Sequence, residues 1–169
     1  MIQEKDSPTV IAPLPCIRPA VAGDLPRLIE LVNSAYSIED FLEGTRTDPE
    51  RMDAMQRKGK ILVAEEDSGL LLGCVYTELR GERGYLGMLA VDPARQGRGL
   101  ARLLMDAAEE QLRSLGCKAV DILVLNLRPE LLPTYRRFGY LESGTEAFNF
   151  PRSLKPGVEC HCIRMSKAL

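Results

Sequence analysis

Gln96-Gly97-Arg98-Gly99-Leu100-Ala101 joins an apolar run ending at Val91 to the longest helical pattern in the chain, and two glycines sit in the junction. The first turn of a helix leaves about four backbone N–H groups without intrahelical partners, and residues lacking side chains let an anion approach them. A phosphate or pyrophosphate suits such a turn, while a tight connection that needs only backbone freedom is the other reading. Arg98, with Arg95 and Arg102 nearby, adds positive charge. A P-loop requires Lys and then Ser or Thr after its last glycine, where Leu100-Ala101 stand, and the dinucleotide fingerprint requires a third glycine early in a βαβ unit. Neither pattern fits.

The same six residues resemble the signature of the GNAT superfamily: Arg or Gln, two residues, Gly, one residue, then Gly or Ala. They follow Leu89-Ala90-Val91-Asp92-Pro93, which is similar to the family's usual strand ending. A second block follows at the family's distance, with Asn126 closing the next strand and Tyr135-Arg136-Arg137-Phe138-Gly139-Tyr140 resembling a Tyr, three residues, Gly, Phe-or-Tyr ending. On these two blocks the chain is identified as a member of the GNAT N-acetyltransferases. The resemblance implies acetyl-CoA as acyl donor, with Gln96, Gly97, Arg98, Gly99, Leu100 and Ala101 around its pyrophosphate. It implies that the backbone of Leu89, Ala90 and Val91 pairs with pantetheine like an added strand, that Asn126 reaches the same arm, and that no metal takes part.

Such a slot requires neighbouring strands to part, and a bulge near Leu89 would free N–H groups for the thioester oxygen. By the same resemblance Tyr135 donates a proton or hydrogen bond to the departing thiolate; on its own it reads first as a core aromatic beside Phe138. The acceptor must attack as a neutral amine, and a lysine-like pKa of about 10.4 leaves roughly one molecule in 2,500 neutral at pH 7, a cost near 4.6 kcal/mol. Several family members place a carboxylate on the fourth strand, where this chain has Tyr85-Leu86-Gly87-Met88. Glu78 is the first candidate for the base, with Tyr85 as a relay and Glu82 as a weaker choice. Tyr36, Arg46 and Asp48 lie in or beside an irregular segment that lines the acceptor cleft in similar proteins, or else belong to an ordinary exposed loop. The expected acceptor is a small-molecule amine. A protein lysine or N-terminus could use the same slot, and a non-catalytic acyl-CoA sensor would be consistent with the missing carboxylate.

These groups need a scaffold. Ile17-Arg18-Pro19 reads as a first strand, and Asp24 is placed to cap a helix carrying Leu25, Leu28, Ile29, Val32 and Tyr36. The aperiodic residues 37–48 suit a mobile lip, and a second helix is expected over residues 49–58. Strands follow over 60–65, 70–79 and 85–91, then a helix over 99–115, a doubly buried strand over 119–125 and a short helix over 131–138. Strands over 141–150 and 159–166 close the chain. This order predicts an α+β fold: one mixed, mostly antiparallel twisted sheet flanked by helices, in a single domain.

The 169 residues, 45% hydrophobic and 27% charged, fit one such domain, expected over residues 16–169 behind a disordered lead over 1–15 whose Pro8, Pro13 and Pro15 break any helix. With 22 Lys and Arg against 24 Asp and Glu, no global positive field draws in nucleic acid or an anionic membrane. No apolar run approaches the roughly 18 residues of a membrane span. Five scattered cysteines read as reduced thiols in a cytoplasmic protein. The lone His161, between Cys160 and Cys162, lacks the partners a zinc site needs, and Cys74 has no histidine nearby in sequence to activate it as a nucleophile. The protein is expected to be a monomer, or a homodimer paired through an exposed last strand.

Overall fold

The computed structural model describes residues 13–169, so most of the expected disordered lead, residues 1–12, lies outside the described residues. Strand β1 (Cys16–Pro19) and helices α1 (Leu25–Ala35) and α2 (Pro49–Lys58) precede a meander of β2 (Lys60–Glu65), β3 (Leu71–Arg80) and β4 (Arg83–Val91). Helix α3 (Leu100–Ser114) crosses to β5 (Ala119–Leu125), and α4 (Leu132–Arg137), β6 (Leu141–Ala147) and β7 (His161–Ala168) follow. One seven-stranded sheet results, in the order β1-β2-β3-β4-β5-β7-β6. Every pairing is antiparallel except β4 with β5, which are parallel because a helix joins them. The fold is the single-domain α+β arrangement expected from the element order.

Apolar patterning explains the three layers. β3 is buried from Leu71 to Thr77 because helices cover both its faces. On one face α3 lays Leu104, Met105, Ala108 and Leu112 against a core that includes Val75, Leu86, Val120 and Ile122. On the other, Leu28 and Val32 of α1 and Met52 of α2 pack with Val63, Cys74, Tyr76, Tyr85 and Met88. A buried polar knot fixes α3 to the far strands: the Tyr140 hydroxyl donates to Glu109 Oε1 at 2.8 Å and Lys167 Nζ donates to Glu109 Oε2 at 2.6 Å.

Three local expectations change. Asp24 precedes α1 but makes no side-chain cap there; its carboxylate takes the Arg18 guanidinium and the Val21 N–H, which holds β1 to the entry of the helix. The last strand is not the exposed edge, because β7 inserts between β5 and β6 and leaves β6, exposed at every residue, on the rim. β6 also stops at Ala147, and residues 148–160 form a loop that returns over the sheet. That loop holds the expected mobile lip in place: Glu43 N donates to Ser153 O, Lys155 N donates to Phe41 O, and Leu42 pairs with Leu154. Asn33 clamps the same segment from α1 by exchanging two hydrogen bonds with the Thr47 backbone. None of the described helices is long and apolar enough to cross a membrane.

Candidate active site

β4 and β5 pair only from Arg83 with Ala119 to Leu86 with Ile122, and beyond that point they part. The opening coincides with a bulge. Tyr76 faces Gly87 and Cys74 faces Ala90, so β4 uses one residue more than β3 across the same span. Met88 absorbs the irregularity at φ 47°, a left-handed backbone rare for a residue with a side chain. Tyr36, at the end of α1, donates its hydroxyl to the Leu89 carbonyl at 2.9 Å and so braces the bulge from the opposite layer.

A slot of about 80 Å³ fills the parting, lined by Gly87, Met88 and Leu89 from β4 and by Leu123, Val124 and Leu125 from β5. Tyr36, Arg46, Tyr85 and Tyr135 line it as well, so residues singled out from three distant parts of the sequence meet there. A larger cleft of about 610 Å³ adjoins it between α2 and the loop after β6, shares Arg46, Tyr85, Gly87 and Met88 with the slot, and includes Glu78. Of the five tyrosines, Tyr36, Tyr76 and Tyr140 donate their hydroxyls to protein acceptors. The hydroxyls of Tyr85 and Tyr135 have no partner among the described residues. The Tyr135 ring is fixed edge-on between Phe138 and Tyr140, with centroids 6.3 and 6.2 Å away, and burial pushes its phenol up to about 12.

Glu78 is committed elsewhere in part. It accepts from the Tyr76 hydroxyl at 2.9 Å and from Arg80 Nε at 3.0 Å, and Arg80 also lies 3.8 Å from the Tyr85 ring centroid. Burial acts to raise the Glu78 carboxyl, but the hydrogen bonds from Arg80 and Tyr76 outweigh it and hold the group below the usual carboxylate range. Asp48 caps α2 through the Arg51 N–H. Glu82, with Lys118 across from it at 3.7 Å, lies at the opposite end of β4 from the bulge.

The glycine junction sits on open surface ahead of α3. Gly97 and Gly99 both take φ 78°, and a Cβ on either would meet nothing within 4 Å, so their backbone conformation, not crowding, calls for glycine. Leu103 N bonds to Gly99 O, which leaves the N–H groups of the first turn facing outward. Arg95 pairs with Glu66 and Arg102 with Asp106, leaving Arg98 as the junction arginine without an ion pair among the described residues. Asn126 lies outside the slot lining, and its Oδ1 accepts from His161 N at 2.8 Å, tying the end of β5 to the start of β7. His161 is exposed and Cys162 buried, on opposite faces of β7.

Sequence reasoning missed Glu39, Arg128 and Arg152. Glu39 Oε1 accepts from Arg128 Nη1 at 3.1 Å and Oε2 from Arg152 Nη1 at 3.4 Å, and all three residues line the slot. These partners are separated by 89 and 113 residues, and no local pattern announces them.

The family model described as "Acetyltransferase (GNAT) family" matches residues 25–140, from α1 through the parted strands to Tyr140. The chain therefore belongs to the GNAT family of acetyltransferases. It is 30% identical over 131 residues to the mycothiol acetyltransferase of Propionibacterium freudenreichii, an alignment covering 73% of this chain but 42% of that protein. Among solved structures it is similar to the ribosomal-protein-alanine N-acetyltransferase of Brucella melitensis, with 22% identity, a TM-score of 0.73, and coverage of 91% of this chain and 99% of the other. It is also similar to a GNAT family acetyltransferase from Elizabethkingia anophelis with acetyl-CoA bound, with 20% identity, a TM-score of 0.71, and coverage of 91% and 97%. At these identities the two structures establish the common fold.

Proposed function

We propose that this acetyltransferase uses acetyl-CoA as donor and passes its acetyl group directly to a primary amine on a small metabolite. The observation that carries the reading is the parting of β4 and β5 beside Tyr135, in a slot that opens into a separate cleft. The residues present fit the donor: two positive-φ glycines open the first turn of α3 to a pyrophosphate, and the strand gap admits a thin extended arm. When bound, acetyl-CoA supplies an activated acyl group as a thioester.

The chain's own residues then divide the work. Gln96 to Ala101 present backbone N–H groups and the Arg98 charge to phosphate. Leu89, Ala90 and Val91 offer β-strand hydrogen bonding, and the bulge leaves a backbone N–H to face the thioester oxygen as it gains negative charge. Tyr135 donates toward the leaving sulfur. Asn126 keeps β5 at its distance through His161 and leaves its Nδ2 to reach the arm. On the acceptor side, Tyr36, Arg46 and Tyr85 contact the substrate, while Glu78, already neutralised in part by Arg80, guides an ammonium electrostatically and receives its proton only weakly.

Thiol release from acetyl-CoA, measured against amines, amino acids and short peptides with CoA binding followed in parallel, tests this. Amine-dependent release supports the reading. Peptides turning over faster than every metabolite would move the acceptor to proteins, and tight CoA binding with no release would make the chain a sensor.

A further inference from the structure

Arg128 and Arg152 share the single carboxylate of Glu39 at the slot, and a third arginine, Arg46, lines the same region. Glu39 and Arg152 have side chains only 5% exposed, and Arg128 only 15%. Arg46 lies 4.8 Å over the Tyr36 ring, lines both the slot and the cleft, and has no ion pair among the described residues. Arg128 also reaches Glu130 at the surface, so its charge is met twice, whereas Arg152 has Glu39 alone at 3.4 Å. The Nε of Arg152 is buried with no hydrogen-bond partner, the one such side-chain atom among the described residues. Guanidinium does not shed its proton, so burial opposes the charge without removing it, and nearby Arg46 opposes it further. A buried, incompletely bonded cation beside a second unpaired cation is costly unless something negative completes it.

We infer that the acceptor carries a carboxylate as well as its amine, and that Arg46 and Arg152 hold that carboxylate while the amine points toward Leu89 and Tyr135. The inference rests on the proposed amine acetylation and narrows its substrate class. Both arginines line the region shared by slot and cleft, and the backbone ties between residues 41–43 and 153–155 fix their two loops to each other. A planar fork suits a carboxylate's two oxygens. Neutral amines and peptides blocked at their carboxyl end would leave Arg46 without an ion pair and Arg152 Nε without a partner.

The test measures acetyl-CoA turnover with α- and ω-amino acids and, for each, the carboxamide that keeps the amine and removes the charge. Acids are expected to exceed their amides in kcat/KM by roughly 10- to 150-fold, the worth of hydrogen bonds to a charged group. Arg46→Gln should shrink that gap chiefly through the KM of the acid, while CoA affinity holds. Arg152→Gln should act the same way, and Arg46→Gln guards against its misfolding because Arg46 has no ion pair to lose. Equal turnover of acids and amides overturns the carboxylate assignment while amine acetylation stands; no turnover with any amine overturns both. A gap that persists in both variants places the anion elsewhere, and a parallel loss of CoA affinity gives the arginines to the donor.

Discussion

Replacing Tyr135 by Phe removes one hydroxyl from the slot and, by the structure, nothing else. The ring keeps its edge-on contacts with Phe138 and Tyr140, and no intramolecular hydrogen bond is lost, so stability should change by less than about 0.5 kcal/mol. The effect on turnover follows from the phenol's acidity. Burial raises it to about 12, whereas a thiol sits near 8.5, so complete proton transfer to a thiolate is uphill by roughly 3.5 pKa units, or about 5 kcal/mol. In the proposed reaction Tyr135 is therefore a hydrogen-bond donor to developing negative charge, a contact worth about 1.5–3 kcal/mol, and Tyr135→Phe should lower kcat roughly 10- to 150-fold. CoA affinity should stay nearly constant, because the neutral ground-state thioester gains little from that donor. The pH profile adds a second reading. A phenol donates only while protonated, and a raised pKa preserves that form, so kcat/KM should climb as the amine deprotonates and should show no descending limb near pH 10. The assays are thiol release in the steady state and CoA titration by calorimetry. Unchanged kcat, an equal loss of CoA affinity, or a tyrosine-dependent fall near pH 10 would refute the assignment.

Gly99→Glu should abolish CoA binding while the chain stays folded: the new Cβ meets no protein atom, but the left-handed backbone costs about 1–2 kcal/mol and the carboxylate repels the pyrophosphate. Gly99→Ala carries the strain alone and serves as the comparison, and equal CoA affinity in the two variants would move the pyrophosphate away from this turn. Glu109→Ala leaves the Tyr140 hydroxyl and Lys167 without their shared acceptor and should cost about 2–4 kcal/mol in denaturant unfolding, below the full penalty for a buried pair because Lys167 keeps some solvent. An unchanged midpoint would show that water replaces the carboxylate freely. Glu78→Gln should lower kcat/KM by less than about 10-fold and keep the acidic limb of the profile, since its carboxyl is already held low by Arg80 and Tyr76. A loss beyond about 100-fold, with the limb displaced, would restore Glu78 as the principal base.

What the sequence made legible is what neighbours in the chain decide together. The stripe Leu100, Leu103, Leu104, Ala107, Ala108 and Leu112 needs only helical spacing; α3 buries Leu100, Leu104, Ala108 and Leu112 of it and leaves Leu103 and Ala107 half-buried. The glycines at 97 and 99 stand where φ is positive, a demand set within a few residues. The order of the last two strands was harder to see. Polar Glu142, Ser143, Thr145 and Glu146 mark β6 as a rim strand, and buried Cys162 and Met165 mark β7 as an inner one. That contrast outweighs chain order, which alone suggests that the last strand lies outermost. Asp24 departs from its expected role for a related reason: its helix-entry position invites a cap, but Arg18 is close enough to offer two charge-assisted hydrogen bonds, and these win. Glu39, Arg128 and Arg152 could not be assembled at all, because their meeting depends on two loops closing over the sheet.

The bulge unites these levels. A methionine at φ 47° should relax unless its surroundings hold it, and three restraints act on the segment: the shifted pairing with β3, burial of Met88 to 4% among α1 and α2, and the Tyr36 hydroxyl on the Leu89 carbonyl. They come from β3 and from α1 and α2, all distant in sequence, so the irregular backbone is fixed by the whole fold, not by its own sequence. A regular β4 would continue its ladder with β5 and close the slot. The strain at Met88 accompanies a strand whose outer half is kept free, between a helix N-terminus that suits phosphate on one side and an arginine-rich cleft on the other. Tyr36 thus serves first as a brace, and the place in acceptor recognition proposed for it follows from where that brace stands.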